Sequence, residues 1–453
     1  MQHKSDYILD HFSMVFGLDK LPVSVSYGHE GDAKIRIRKG NTASLERGEQ
    51  YIPEDHQIVW KSWKGTRVPF FFGDDTGDLI TQSGDQYYIS QDIIASAFYL
   101  LSGWQEHFCT DFDRYGRFPY GLSLQKRLGI TGKPIVNYYF DILKTVMEQA
   151  SGKPVATVSW NGNPYALCLT HDIDSCESAW LQGSLHALKK GNPVTPFLLL
   201  AKKLAGRDGW FNFSEIVNLE RQYGANSTFF FLATHLPGMG VKNADYRLSR
   251  SKFTAVQALI TGSGSEVGIH GSAGTSTDPD RLNAELSCFR VPVHGNRFHF
   301  LLYSAAVSGK IIDETGLNYD ASLGFAEEPG FRNSFCFPFR PWDIQHDRPF
   351  QHTEIPLTLM DGTLQKYLGL LPAQAYLYTV PLFEEVRKFG GCMTVLWHNT
   401  HFSAYKYPGW KEVYMNILEK AAGEDASLLS CSMLLDLYCE RAKCRTMVTG
   451  EPS

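Results

Sequence analysis

The chain has 453 residues, 43% of them hydrophobic and 20% charged, which excludes a mainly disordered or fibrous protein and leaves room for two or three domains. Its 43 Lys and Arg against 48 Asp and Glu give a formal charge of −5, so a nucleic-acid binder working through a general basic surface is excluded as well. An aromatic fraction of 13% suits a large core, and it also suits stacking on sugar rings.

The amphipathic stretch 7–16 predicts a helix, and the alternating Ala33-Lys-Ile-Arg-Ile-Arg38 predicts a strand. Residues 68–72 and 86–89 are short, aromatic and bounded by turn residues, so both are expected as strands. A buried helix is expected over 91–101, followed by the turn-rich loop DRYGRFPYG, whose charged and aromatic residues could cap a groove. A second helix over 134–147 leads to a linker at 151–154. The nine cysteines show no CxxC spacing and read as single, reduced core residues, Cys444 among them. The first 17 residues lack an apolar signal-type segment, and no window approaches 18 uninterrupted apolar residues. The expectation is a cytoplasmic protein with no membrane span.

From about residue 160 the rhythm becomes strand then helix. Apolar strands are predicted at 165–170, 226–232, 265–270 and 393–397. Helices are predicted at 213–223, 250–260, 280–289, 301–314, 373–389 and 410–422. Apolar strands alternating with helices pair in parallel and carry helices on their faces. The expected fold class is α/β: a distorted (β/α)7-type barrel over 160–453, preceded by a smaller α+β domain of unknown role over 1–155.

The polar clusters fall just past predicted strands, where a barrel gathers them on one rim. Thr170-His-Asp-Ile-Asp174 holds two carboxylates beside a buried strand, which is costly without a cation or donors to compensate. Asp174 alone could cap a helix. Both aspartates together with His270 on a neighbouring strand end read better as a divalent metal site. His398 ends the strand Thr394-Val-Leu-Trp397, with His401 close behind, and its imidazole can donate a proton to a leaving amine. Arg297 and Arg340 could each hold a carboxylate by the planar guanidinium, or form a structural ion pair. Phe337, Phe339, Trp342 and Trp397 could stack on a sugar, though each could as readily be a core residue.

The order of these motifs resembles the polysaccharide deacetylases, the NodB-homology carbohydrate esterases of family four. By that resemblance Asp172 is the catalytic base and Asp174 a metal ligand, both in THDID. The metal-binding His that follows an acidic-aliphatic-Gly strand is His270 in Glu266-Val-Gly-Ile-His270. The Arg that orients the base is Arg297, with Arg290 in Arg290-Val-Pro292 a rival of similar local look, and the general acid is His398 in LWH. YISQDIIASAFYLLSGWQEH, DRYGRFPYG, YDASLGFAEEPGFR, CFPFRPWD and LWHNTHFS are similar to a subgroup of that family with an uncharacterised N-terminal module. The resemblance implies a NodB-like barrel that holds zinc, or cobalt, iron or manganese, and removes an acetyl group from an N-acetylated sugar or glycan precursor. One position departs from the pattern: the family's second histidine, four residues after the first, is Gly274 here. Ser272, Thr275, Ser276, His299 or water could complete the ligand set, and His299 could otherwise bind substrate with Arg340, Trp342 and Trp397. The departure keeps two alternatives open: a degenerate barrel that binds glycan without turnover, and a hydrolase of another C–N bond.

Overall fold

The computed structural model describes residues 1–28, 32–74 and 77–446, with side chains to residue 440, so the side chain of Cys444 and the last seven residues of the expected barrel lie outside the described residues. The chain opens with α1 (Gln2–Phe16), which ends at Gly17 in the left-handed conformation. Strands β1 (Val25–Tyr27), β2 (Ile35–Ile37), β5 (Ile80–Ser83) and β6 (Gln86–Ile89) form a sheet in the order β1-β2-β6-β5, and β3 (Val59–Trp63) pairs with β4 (Thr66–Phe70) as a hairpin. The Asp92 carboxylate accepts from the Ala95 N–H and so caps α2 (Ile93–Leu101). Helix α3 (Ile135–Ser151) ends this part of the chain.

The remainder is built on parallel strands. In chain order they are β7 (Ala166–Ile173), β8 (Thr228–Phe231), β9 (Glu266–Gly271), β10 (Gly295–Phe298) and β11 (Tyr319–Asp320). A small antiparallel pair, β12 (Trp342–Asp343) and β13 (Arg348–Pro349), precedes β14 (Thr353–Glu354), β15 (Leu357–Met360), β16 (Cys392–Leu396) and β17 (Ser427–Leu429). The sheet order is β14-β11-β10-β9-β8-β7-β16-β15, with β17 beside the start of β7, and every pairing is parallel.

That order requires curvature. β14 and β15 sit at opposite edges, yet only Ile355 and Pro356 separate them in the chain. Laid flat, eight strands about 4.8 Å apart would hold the edges roughly 34 Å from each other. The chain from Glu354 to Leu357 reaches at most about 10 Å. The sheet therefore curls into a nearly closed (β/α) barrel.

Helices cover it: α4 (Ala179–Lys189), α5 (Val194–Leu204), α6 (Phe213–Arg221), α7 (Ser251–Gly262), α8 (Pro279–Leu286), α9 (Ser308–Thr315), α10 (Pro372–Phe389), α11 (Trp410–Gly423) and α12 (Cys431–Thr446). The structure corrects two readings. The helix expected over 301–314 starts only at Ser308, because Phe300 and Leu301 adopt positive φ of 59° and 56° and break the spiral. The second is an omission: the α4–α5 hairpin has no counterpart among the predicted elements, although Leu181, Leu185 and Leu188 recur at helical spacing. Of the described cysteines, all free, Cys168, Cys176, Cys336, Cys392 and Cys431 are core residues, whereas Cys288 is exposed.

One cluster of buried apolar side chains runs from α1 into the barrel. Across that seam, Arg332 donates to Glu106 at 2.5 Å, with both side chains under a tenth exposed, and Arg332 Nη1 also donates to the Gly324 carbonyl. Glu106→Ala strands a buried guanidinium and should destabilise the fold by about 3–5 kcal/mol in chemical unfolding.

Candidate metal centre and active site

Strand alternation sorts the residues of THDID. Thr170 and Asp172 point into the barrel, and His171 points out, where Glu220 takes its Nε2 at 2.8 Å and the Trp397 carbonyl its Nδ1 at 2.7 Å. The motif lies within β7 up to Ile173, and the loop begins at Asp174. From β10, on the far side of β8 and β9, Arg297 reaches across the interior. Its Nη1 donates to Thr170 Oγ1 at 2.7 Å and to Asp172 Oδ1 at 3.0 Å, and Nε donates to the Ala321 carbonyl at 2.8 Å. Arg297 is wholly buried, and its guanidinium lies over the Phe230 ring.

Three donor atoms converge beside Asp172. His270 Nε2 lies 3.4 Å from Asp174 Oδ1 and 3.5 Å from Asp172 Oδ2, and His299 Nε2 lies 3.7 Å from Asp174 Oδ1. Among the described residues, Asp174 Oδ1 is a buried oxygen without a hydrogen-bond partner. Two ligands each about 2.0–2.1 Å from a tetrahedral zinc lie roughly 3.3–3.4 Å apart. The spacing is thus that of donors around a shared cation, longer than a direct hydrogen bond. The outer nitrogens are tied down as well. His270 Nδ1 donates to the Arg297 carbonyl at 2.7 Å, and His299 Nδ1 donates to Asn243 Oδ1 at 3.1 Å, an oxygen that also accepts from the Ala273 N–H. Each contact fixes a tautomer that turns Nε2 toward Asp174, the outer support that metal-binding histidines carry. Asp174, His270 and His299 can therefore hold a divalent ion.

Opposite them, His398 Nε2 is 3.6 Å from Asp174 Oδ2. Its Nδ1 donates to Asp361 Oδ1 at 2.7 Å, its backbone N–H donates to Asp361 Oδ2 at 2.7 Å, and His401 Nδ1 pairs with the same oxygen at 3.0 Å. Asp361 was not singled out in the sequence. Its signal was there: the apolar run of β15 ends in Met-Asp, the arrangement that marks the other rim motifs.

The electrostatics arise from burial and these neighbours. Burial raises Asp174, yet His299, His270 and His398 together hold it well below the usual carboxylate range. Burial works against charge on His270, and the Asp172 and Asp174 carboxylates outweigh it and raise its pKa. In His299 burial prevails and pulls the pKa down to about 4. In His398 burial loses to the Asp361 carboxylate, which pushes the imidazole up to about 10.

Gly274 does not face this cluster. It has φ of 104°, and a Cβ there would lie 2.7 Å from the Arg281 guanidinium. The Ser272 hydroxyl is spent on Glu285, and the Thr275 hydroxyl donates to the Ser272 carbonyl. His299 stands instead beside Asp174 and His270, and it also lines the cavity into which the cluster opens. Gly274→His should therefore leave metal affinity unchanged in a binding titration, because the new imidazole would meet Arg281 and be strained by the positive φ.

The other expected substrate contacts lie elsewhere. Arg340 donates to the Phe350 carbonyl, and its own carbonyl accepts from Tyr7 of α1. Trp342 packs on Tyr7 and Phe98 at 4.9 and 5.2 Å, in the seam with the N-terminal part. Trp397 is fully buried under α11 against Trp410 and Tyr414. The two tryptophans are withdrawn because large apolar surface near a barrel end goes into packing first, whereas Arg340 is exposed and held by the Phe350 carbonyl.

Residues 5–152 match the family of unknown function DUF7033. No curated protein matches the chain. Among solved structures it is similar to a Mycobacterium smegmatis protein assigned as a polysaccharide deacetylase, at 17% identity and a TM-score of 0.42, over 65% of this chain and 96% of that one. It is also similar to the peptidoglycan deacetylase PdaC of Bacillus subtilis, at 11% identity and a TM-score of 0.34, over 65% and 100% of the two chains. A pseudoenzyme of the CE4 family from Bacillus anthracis aligns at 11% identity and a TM-score of 0.29, over 60% and 66%.

The cluster opens into a cavity of about 270 Å³. Trp210, Phe300, Tyr367 and Tyr407 give its wall aromatic surface. The N-terminal part contributes through DRYGRFPYG: Arg117 lines the cavity, donates to the Phe300 carbonyl at 3.1 Å and is gripped by Asp113, while Tyr115 stacks on Phe300. Phe300, held at positive φ, in turn stacks on His299 at 3.9 Å. The loop thus buttresses the strained turn that presents His299.

Proposed function

We propose that this protein is a metal-dependent hydrolase that removes the acetyl group from an N-acetylated sugar or glycan precursor. The observation that carries the reading is the pairing of an acid and a base around one cation-binding cluster. Asp172, oriented by Arg297, and His398, oriented by Asp361, both approach the space shared by Asp174, His270 and His299. Those three would hold a divalent ion, zinc first by their chemistry, which when bound would polarise an acetamide carbonyl and acidify water.

The chain's own groups account for the proton movements. Asp172 accepts the proton of the attacking water, and the Arg297 guanidinium, donating to Oδ1, keeps its carboxylate aimed. His398 donates a proton to the amine nitrogen as the C–N bond breaks, and Asp361 stabilises the imidazolium before that transfer. Aromatic walls and cationic rim groups suit a sugar ring with polar substituents.

The alternative of a glycan-binding barrel without turnover drew on Gly274, and His299 beside Asp174 weakens that ground. The test is acetate release from free and nucleotide-linked N-acetyl sugars by protein reloaded with zinc, cobalt, iron or manganese in turn. Metal-dependent release supports the reading. Bound metal with no release from any acetylated sugar would sink it.

A further inference from the structure

The α4–α5 hairpin has the surface of a membrane-docking element. On α4, Leu181, Leu185 and Leu188 are 46–53% exposed and recur at i, i+4 and i+7, a single stripe turned to solvent. On α5, Val194, Phe197, Leu198 and Leu204 are 57–81% exposed, while Leu199 turns inward. Gly183 lets the helices approach, since a Cβ there would lie 2.9 Å from Leu199 Cδ1. Apolar side chains at this density on a soluble surface mark a contact face.

The charge on the same segment names the partner. Residues 179–207 contain Lys189, Lys190, Lys202, Lys203 and Arg207 and no Asp or Glu, in a chain whose net charge is −5. Asp208 pairs with Lys203 at 3.5 Å, and Lys202 donates to the Tyr405 hydroxyl. Lys189, Lys190 and Arg207 have no ion-pair partner among the described residues. A second copy of the hairpin would bring like charges together, whereas an anionic bilayer meets both features at once, taking apolar side chains into its boundary and cations at its surface. Each helix has 11 residues, about 16 Å, too short to cross a hydrocarbon core of about 30 Å. No helix of the described residues is long and apolar enough to cross a membrane.

We infer that the hairpin lays this protein on anionic lipid surfaces, with the cavity mouth beside the membrane. The connection to the cavity is direct: Gln182 of α4 lines it and accepts from Lys406, also in its lining, at 2.7 Å. Lys366 also lines the cavity, so cationic groups continue from the hairpin into the site. Docking rests on the hairpin alone; that it brings the site to a lipid-linked glycan rests on the proposed function as well.

The test is co-sedimentation of the full chain with vesicles of phosphatidylcholine, alone or mixed with equal parts of phosphatidylglycerol. Binding is expected to the mixed vesicles only, and to fall with added salt. Phe197→Glu and Leu204→Glu should each weaken it about tenfold or more, and Lys189→Ser and Lys190→Ser about fivefold each. Leu377→Glu, an equally exposed leucine on α10, should leave it unchanged. Because the readout is binding and not activity, it stands or falls apart from the hydrolase reading. No binding to the mixed vesicles, binding indifferent to the hairpin substitutions, or self-association abolished by Phe197→Glu in a chain that ignores vesicles would each overturn the inference.

Discussion

Asp174→Ala, His270→Ala and His299→Ala are each expected to lower metal affinity by about 100-fold or more, and elemental analysis of the purified variants should find the bound ion lost. The reason is the small donor set. With one carboxylate and two imidazoles converging, removal of any one leaves two protein ligands, and even loss of an outer partner of a ligand costs about 10- to 100-fold. The loss should also appear in unfolding. An ion present at about 100 times its Kd adds about 2.7 kcal/mol to the stability of the wild type, and the variants should show none of that gain at the same concentration. His299→Ala is the most informative of the three, because the resemblance to the deacetylases places the corresponding histidine at position 274. Metal retained in His299→Ala but lost in the other two would mean that water or a hydroxyl completes the set.

Asp172→Asn should lower turnover by about 10²–10⁴-fold with the metal still bound, the usual range for a positioned acid or base. The substitution keeps the size and the Arg297 contact but removes the proton acceptor. His398→Gln should lose a similar factor on an acetamide, whose amine must be protonated to leave. On an activated acetyl ester, whose leaving group needs little help, His398→Gln should retain most of its activity and Asp172→Asn should not. Equal losses on both substrates would show that His398 holds structure or substrate and is not the acid.

Much of this site was readable before the fold, for a physical reason. Asp172, Asp174, His270 and His398 each lie at the end of a short, mainly apolar and buried strand, where a polar group must be compensated or used. Apolar runs alternating with amphipathic helices also specify parallel pairing, so the barrel class came from the same pattern. Arg297 was less plain, since Arg290 has a similar neighbourhood; the curl of the sheet separates them, sending Arg297 across the interior to Asp172 and leaving Arg290 exposed.

Other assignments depended on contacts between distant segments. His299 joins Asp174 only because Phe300 and Leu301 take left-handed backbone, supported by Arg117 and Tyr115 from a segment far earlier in the chain. Asp361 meets His398 and His401 because β15 and β16 are neighbours in the sheet. Trp342, Trp397 and Arg340 looked like sugar contacts by type, and packing against α1, α2, α11 and the Phe350 carbonyl withdrew them from the cavity. The sequence by itself determined which strands exist and which polar groups stand at their ends, because both are set by local period and burial. Tertiary structure alone decided which of those groups share a cavity, because curvature and the loops that brace it are properties of the closed sheet and of no single segment.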